Sequence, residues 1–335
     1  MTDKNSHSIS TEAAQTQHRR AVFRQHLQQA ITQAKDWPRK PKASLKIPPK
    51  PHGWLLPILI DCESRCWGRW DHWTKVKLAG DLIDETIPQI VFEQGNTSLA
   101  RKMHENALNS ITGAGDWRGW SGWENFNYYL DWLLYAFGHQ GQAEPPKEPV
   151  AGAFSRLYQT FCLEAMLAWP QDIFGDLLAD NAHGRRSGFY PTPHHVVEMM
   201  TRLTFGVDED SRLKSFCDPC LGTGRMPLHA SNYTYRLYGQ DIDPTVIKAA
   251  LVNGYCFAPW LVRPLFDDDS TNSAALSDAM TEQAEGNPAV GAYLNDTVHD
   301  DAQQYAFEPI KKRRKKGEPE VMQGLLFKHL DDQSR

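Results

Sequence analysis

The sequence predicts an α/β fold in which a helical N-terminal domain precedes a doubly wound parallel sheet. Three observations support this prediction. Residues 55–140 are rich in Trp and Leu at helical spacing. The stretch from Ser215 to Gly254 has the pattern of a strand, a glycine turn, a helix, a second strand and a second helix. Between these regions, the segment GQAEPPKEPV at 141–150 has the composition of a linker.

Composition indicates a globular protein and excludes several other classes. The 335 residues suffice for about two domains, and 41% of them are hydrophobic. The 36 Lys and Arg against 41 Asp and Glu give a net charge of −5, so a nucleic-acid partner would have to meet a local basic patch. No apolar run approaches the roughly 18 residues of a membrane span. The polar N-terminus and the six cysteines favour a reduced, cytoplasmic protein.

Three regions follow from these changes in composition. The helical N-terminal domain is predicted at 1–145, the α/β domain at 151–270, and a polar, partly disordered tail at 271–335. In the first region, one buried helical stripe is predicted, formed by Phe126, Leu130, Leu133 and Phe137. The tail is acidic at first and then basic at KKRRKK, residues 311–316.

The glycine turn lies between the two predicted strands of the α/β domain. A short apolar run ends at Asp218, and Gly222 and Gly224 follow, where a side chain would hold the backbone away from a ligand. The next strand ends at Asp241, 19 residues after Gly222 (241 minus 222), close to the roughly 20 of a nucleotide-binding fingerprint. Asp241 should therefore lie beside the turn, where the ribose hydroxyls of a nucleoside are held.

The helix after Asp241 has clear end signals. Asp243 is a favourable N-cap, Pro244 occupies the first helical position, and Gly254 is a stop signal. The third glycine of the dinucleotide pattern is missing, because Arg225, Met226 and Pro227 follow Gly224. A pyrophosphate-binding turn is therefore disfavoured.

These motifs resemble those of amino-directed (N6-adenine) DNA methyltransferases. DPCLGTGRM resembles their Asp-Pro-x-x-Gly-Thr-Gly motif, and LYGQDIDP is similar to their ribose-binding strand end. GFYPTP resembles the Gly-x-Phe-Tyr-Thr-Pro motif of the modification subunits of type I restriction-modification systems, but Pro191 replaces the tyrosine and Tyr190 lies one place earlier. The resemblance covers residues 172–266 and implies a Rossmann-like, class I methyltransferase domain that binds S-adenosyl-L-methionine.

The resemblance also implies a role for individual residues. Tyr190, Thr192 and Pro193 would line the methionine end of the cofactor. Asp241 would hold the ribose. Asp267 or Asp268, after a third strand predicted in APWLVRPLF, would reach the adenine amino group. Asp218 and the turn Gly222–Gly224, with Thr223 between the glycines, would contact the amino-acid end. The remaining members of the implied cofactor site are Pro219 and Asp243.

The segment GFYPTP is also the predicted start of a helix. Thr192 is a suitable N-cap and Pro193 a suitable first residue. The predicted buried face of this helix consists of Val196, Met199, Met200 and Leu203.

The family's methyl-acceptor loop, (Asn/Asp)-Pro-Pro-(Tyr/Phe), is not recognisable in residues 255–335. GNPAVGAYL lacks the second proline and the aromatic residue that should follow it, and YAFEPI does not present the needed set in order. Two interpretations remain open. Either a divergent loop or a partner subunit completes a DNA adenine methyltransferase, or the chain is an inactive relative in defence, counter-defence or regulation on a mobile element. A small-molecule or protein methyltransferase is disfavoured by the form of the Asp-Pro motif.

Three further patterns concern possible protein partners and metal ligands. Gln323, Leu326 and Phe327 in MQGLLF resemble peptides that dock on the bacterial sliding clamp, although short patterns also arise by chance. No metal site is predicted, because Cys62, Cys66 and His72 lack a well-placed fourth ligand. The pair formed by Cys217 and Cys220 only brackets the Asp-Pro motif.

Overall fold

The structure is a computed structural model that describes residues 3–95, 97–113, 122–180, 189–206 and 210–263. The part before residue 181 is helical. Its helices are α1 (Asp3–Gln33), α2 (Leu56–Cys66), α3 (Arg69–Ala79), α4 (Leu99–Thr112), α5 (Gly122–Phe137), α6 (Ala153–Thr160), α7 (Leu163–Ala168) and α8 (Ile173–Ala179), with a short 3₁₀ helix at Gln140–Gln142. None of the described helices is long and apolar enough to cross a membrane.

The second part combines helices with a small parallel sheet. Its elements are α9 (His194–Phe205), β1 (Ser215–Asp218), α10 (Arg225–Ala230), β2 (Arg236–Gly239), α11 (Pro244–Phe257) and α12 (Pro259–Val262). β1 and β2 pair in parallel with Asp218 opposite Gly239, so both strands end at the same edge. The predicted combination of a helical region with helices on a parallel sheet is confirmed, and within the described residues this sheet has two strands.

Sequence signals account for several helix ends. Ser98 caps α4 by accepting the Arg101 backbone N–H, and Gly113 ends that helix at a φ of 78°. Asp243 caps α11 by accepting the Thr245 N–H, and Pro244 occupies the first helical turn, as predicted. The apolar stripe predicted on α5 is also confirmed, because all four of its residues are fully buried.

One hydrophobic core continues from the helical part into the α/β part. α5 packs on α11, where the Thr245 hydroxyl donates to Asn127 Oδ1 (2.9 Å) and Lys248 Nζ lies 2.7 Å from Asp131 Oδ1. Arg69 of α3 also reaches across: its guanidinium donates to the carbonyl oxygen of Phe257 at the end of α11. The predicted domain boundaries stay predictions. The helical part and the α/β part nevertheless contribute residues to the same hydrophobic core.

Besides the N-cap of α9, which is described with the candidate site, three predictions for the α/β part are wrong. α9 buries its other face, formed by His194, Val197, Thr201 and Phe205, and leaves Met199, Met200 and Leu203 exposed. The physical reason is the aromatic contact that Phe205 makes with Tyr233 (ring centroids 5.1 Å apart) and with Phe216 of β1.

The other two wrong predictions concern the end of α11. The helix continues past Gly254 to Phe257, and Pro259–Val262, within the predicted third strand, form the short helix α12 instead. A Cβ at Gly254 would lie 2.6 Å from Val262 Cγ1. The glycine therefore permits close packing of α12 on α11 and does not stop the helix.

A buried histidine should make the fold sensitive to acid. His104 is fully buried, its Nδ1 lies 2.8 Å from the Tyr129 hydroxyl, and burial lowers the pKa of His104 to about 3. An unfolded histidine titrates near pH 6.5, so between about pH 6.5 and 3 the unfolded chain binds a proton that the folded chain does not, and stability falls as the pH falls. Between about pH 7.5 and 5, the wild type should lose about 2 kcal/mol more unfolding free energy than His104→Leu.

Urea unfolding at the two pH values measures this difference. The substitution also removes the contact with Tyr129, but that cost is the same at both pH values and cancels in the comparison. Equal pH dependence of the two proteins would show that His104 does not carry the effect.

Candidate ligand site at the carboxyl ends of the strands

The glycine turn connects the end of β1 to the start of α10. Gly222 and Gly224 have φ values of 55° and 82°, in the left-handed region that favours glycine. A Cβ at Gly224 would lie 3.1 Å from the Cβ of Ala250 in α11, and one at Gly222 would lie 3.1 Å from the ring of Phe189. Both glycines are therefore required by backbone conformation and by close neighbours.

Asp241 follows β2 and fastens the turn. Its Oδ2 accepts the Gly222 N–H at 2.8 Å, and its Oδ1 accepts the Asp243 N–H at 3.0 Å. The side chain is half-buried. A carboxylate oxygen can accept two hydrogen bonds, so each oxygen of Asp241 has capacity for a donor from a ligand. The structure thus places the two residues that the sequence paired, Gly222 and Asp241, in direct contact.

Two further carboxylates lie at this edge. Asp218 is buried and accepts the Cys220 N–H at 3.0 Å, and Asp243 caps α11. Burial raises the pKa of Asp218, and the nearby Asp241 charge adds to the increase, although the Cys220 N–H opposes it. Burial likewise raises the pKa of Asp243. An edge with three carboxylates suits a ligand that carries positive charge or donates hydrogen bonds, and it repels phosphate.

The segment before α9 contacts the turn through Phe189, which is not among the predicted site residues. Phe189 lies against Gly222, whereas Tyr190 is 79% exposed. Thr192 accepts a hydrogen bond from Arg225 Nη1 through its backbone carbonyl (3.0 Å). Thr192 is not the N-cap of α9; Pro193 precedes the helix in an extended conformation, with no side-chain cap.

The site also contains a buried network that the sequence did not predict. Asp172 is fully buried at the N-cap of α8. Its Oδ1 accepts the Gly175 N–H and Asn253 Nδ2, both at 3.0 Å, and its Oδ2 accepts the Thr223 hydroxyl (2.7 Å) and Arg225 Nε (2.9 Å). Four donors fill the acceptor capacity of one carboxylate. We call Asp172, Thr223, Arg225 and Asn253 the Asp172 network.

Arg225 extends this network but does not face the strand edge. Its Nη2 donates to Asp176 Oδ1 at 2.7 Å, and its side chain is buried. Burial by itself would lower the pKa of Arg225, but Asp172 and Asp176 raise it, so the guanidinium stays charged. Asp172 and Asp176 pair with the positive charge of Arg225 inside the protein. Arg225 therefore does not neutralise the carboxylates at the strand edge.

The other residues singled out in the sequence lie at the end of β1, elsewhere in the fold or outside the described residues. Pro219 and the exposed Cys217 and Cys220 lie at the end of β1 and in the turn. His72 contacts the Tyr235 hydroxyl at 2.5 Å, and among the described residues no group of three His, Cys, Asp or Glu is arranged to hold a metal. Asp267 and the clamp motif at Gln323, Leu326 and Phe327 lie outside the described residues.

Comparison with known proteins gives a family match in the part of the chain that contains this edge. Residues 170–258 match the family of N-6 DNA methylases. The matched segment includes the Asp172 network, the glycine turn and Asp241. No curated protein and no solved structure matches the chain. The family match confirms, for residues 170–258, the similarity to N6-adenine DNA methyltransferases that the sequence predicts.

Proposed function

We propose that this chain binds S-adenosyl-L-methionine at the shared end of β1 and β2 and acts on or with DNA as a protein of the N6-adenine methyltransferase type. The observation that carries the proposal is the contact between Asp241 and the glycine turn at an acidic edge, within the segment that matches the N-6 DNA methylase family. The Rossmann-like character of the domain is part of the same proposal.

The charge at the edge favours this cofactor over a dinucleotide. S-Adenosylmethionine carries a sulfonium and an ammonium group, which the carboxylates of Asp218 and Asp241 attract, whereas a pyrophosphate would be repelled. Asp241 holds the ribose hydroxyls with its remaining acceptor capacity, and the Gly222–Gly224 turn lets the ligand approach the backbone. Tyr190, Thr192 and Pro193, in the segment before α9, line the methionine end in this proposal. The proposal also includes Asp267, which lies outside the described residues, as the partner of the adenine amino group.

Replacing Asp241 by alanine should weaken S-adenosylmethionine binding by about 1.5–3 kcal/mol, because charge-assisted hydrogen bonds to the ribose are lost. The substitution also removes the acceptor for the Gly222 N–H. This loss could destabilise the fold, so urea titration first identifies a temperature at which the variant is fully folded. Calorimetry at that temperature then measures the affinity for S-adenosylmethionine.

Asp210→Ala is the matched control for Asp241→Ala. Asp210 is an exposed carboxylate that pairs with Arg212 before β1, at the opposite end of the strands. Its removal should leave the affinity unchanged. Equal affinity of wild type and Asp241→Ala would remove Asp241 from the site, and absence of binding by the wild type would refute the proposed cofactor.

Methyl transfer separates an active enzyme from a binding protein. The second candidate, an inactive methyltransferase-fold protein, is favoured by one observation, the missing (Asn/Asp)-Pro-Pro-(Tyr/Phe) loop. We expect the isolated chain to transfer little or no labelled methyl from S-adenosylmethionine to unmethylated DNA. Activity that appears only with a co-purified protein would indicate a partner that supplies the loop, and robust turnover by the pure chain would show that a divergent loop is present.

A further inference from the structure

We propose that Asp172 is a positioning residue for the cofactor turn: through Thr223, Arg225 and Asn253 it holds the glycine turn and the segment before α9 in the conformation that binds the ligand. The proposal rests on the proposed function, because it concerns how that same site keeps its affinity. It assigns a role to residues that were not among the sequence-predicted site residues, apart from Thr223.

The network fixes the turn on both sides of Gly224. The Thr223 hydroxyl donates to Asp172 at 2.7 Å, and the Thr223 carbonyl accepts Asn253 Nδ2 at 2.9 Å. Arg225, the next residue, is bound to the same carboxylate. Two glycines would otherwise give this turn wide conformational freedom, and binding would have to order it.

The network also joins two separate segments of the proposed site. Arg225 Nη1 donates to the Thr192 carbonyl, and its Nε and Nη2 donate to Asp172 and Asp176. Thr192 lies in the segment proposed to line the methionine end. One buried carboxylate therefore aligns that segment with the glycine turn.

The protein also packs closely around the Asp172 carboxylate. A Cβ at Gly175, in the first turn of α8, would collide with Asp172 Oδ2 and would lie 2.6 Å from the Thr223 hydroxyl. Thr223 is 2% exposed, so its hydroxyl points into the protein and is not offered to a ligand. The role of this side chain is to hold the turn, and the ligand meets the backbone.

The test compares three threonine variants of the full chain by calorimetry with S-adenosylmethionine and by urea unfolding. Thr223→Val keeps the shape but removes the donor to Asp172, and the dissociation constant should rise about tenfold. Thr223→Ser keeps the hydroxyl and should remain within about twofold of the wild type. Thr201→Val is the control, because that buried hydroxyl donates only within its own helix, to the Val197 carbonyl at 2.7 Å.

The outcomes separate positioning from general stabilisation. Thr201→Val and Thr223→Val should both lower the unfolding free energy, but only Thr223→Val should weaken binding, and serine should rescue it. If Thr223→Val binds as tightly as the wild type, or if Thr201→Val weakens binding equally, the network is merely structural and the proposal is overturned. A wild type that binds no S-adenosylmethionine would refute the proposed function itself, and this inference with it.

Discussion

Replacing Asp172 by alanine should lower the free energy of unfolding by about 3–5 kcal/mol, because the substitution breaks a buried ion pair and leaves its partners unsatisfied. The Arg225 guanidinium loses one of its two carboxylates, and Thr223 and Asn253 each lose an acceptor. A carboxylate with four donors in a dry environment cannot be replaced by water without rearrangement of the surrounding helices.

Urea unfolding of Asp172→Ala and of Asp61→Ala provides the comparison. Asp61 is also an aspartate on a helix, but its side chain is 61% exposed and pairs with Arg65 at the surface. Its loss should change stability by less than about 0.5 kcal/mol. A similar small effect for both variants would mean that the Asp172 network contributes little to the fold.

Replacing Arg69 by alanine should also cost about 3–5 kcal/mol, because a buried cation with several acceptors is lost together with its packing. Arg69 is fully buried, and its guanidinium donates to the Pro88 carbonyl (2.8 Å), the Phe257 carbonyl (2.6 Å) and the Ser231 hydroxyl (2.5 Å). It also donates to Asn232 Oδ1. Burial lowers the pKa of Arg69 to about 9, and the side chain therefore remains charged at neutral pH.

This variant also tests the connection between the two parts of the chain. Arg69 joins α3 to residues after α10 and at the end of α11. Both parts of the chain should therefore unfold in one cooperative transition. In Arg69→Ala the midpoint of this transition should shift to a lower urea concentration. Arg65→Ala, which removes a 56% exposed arginine, is the control and should shift it little. Two separate transitions, with only one affected, would show that the parts unfold independently.

The neighbours of Asp241 could be predicted from sequence for a simple reason. Parallel strands joined by a helix end at the same edge of the sheet, so the residues that follow two such strands meet there whatever the rest of the fold does. Asp243 was equally predictable, since an N-cap depends only on the next few residues.

The Asp172 network could not be predicted in this way. Asp172 lies 51 residues before Thr223, and its sequence context indicates only an N-cap for α8. Its partners are set by how α8, α10 and α11 pack together, and no local pattern encodes that. The burial of Arg69 could not be predicted from the sequence for the same reason.

The buried face of α9 was wrong because the sequence offers two faces. Val196, Met199, Met200 and Leu203 form the more apolar stripe, but the aromatic contacts of Phe205 orient the opposite face inwards. The strand predicted after Gly254 failed differently. A short apolar run cannot by itself distinguish a strand from a helix, and Pro259 in the first turn of α12 favours the helix.

The most direct test of the central claim is a crystal structure of the full chain with S-adenosylhomocysteine. The account predicts that both ribose hydroxyls lie within hydrogen-bond distance of the Asp241 carboxylate, at about 2.5–3.0 Å. It also predicts that the amino-acid end of the ligand lies against the Gly222–Gly224 turn. A nucleoside bound elsewhere, or one whose ribose makes no contact with Asp241, would contradict the account.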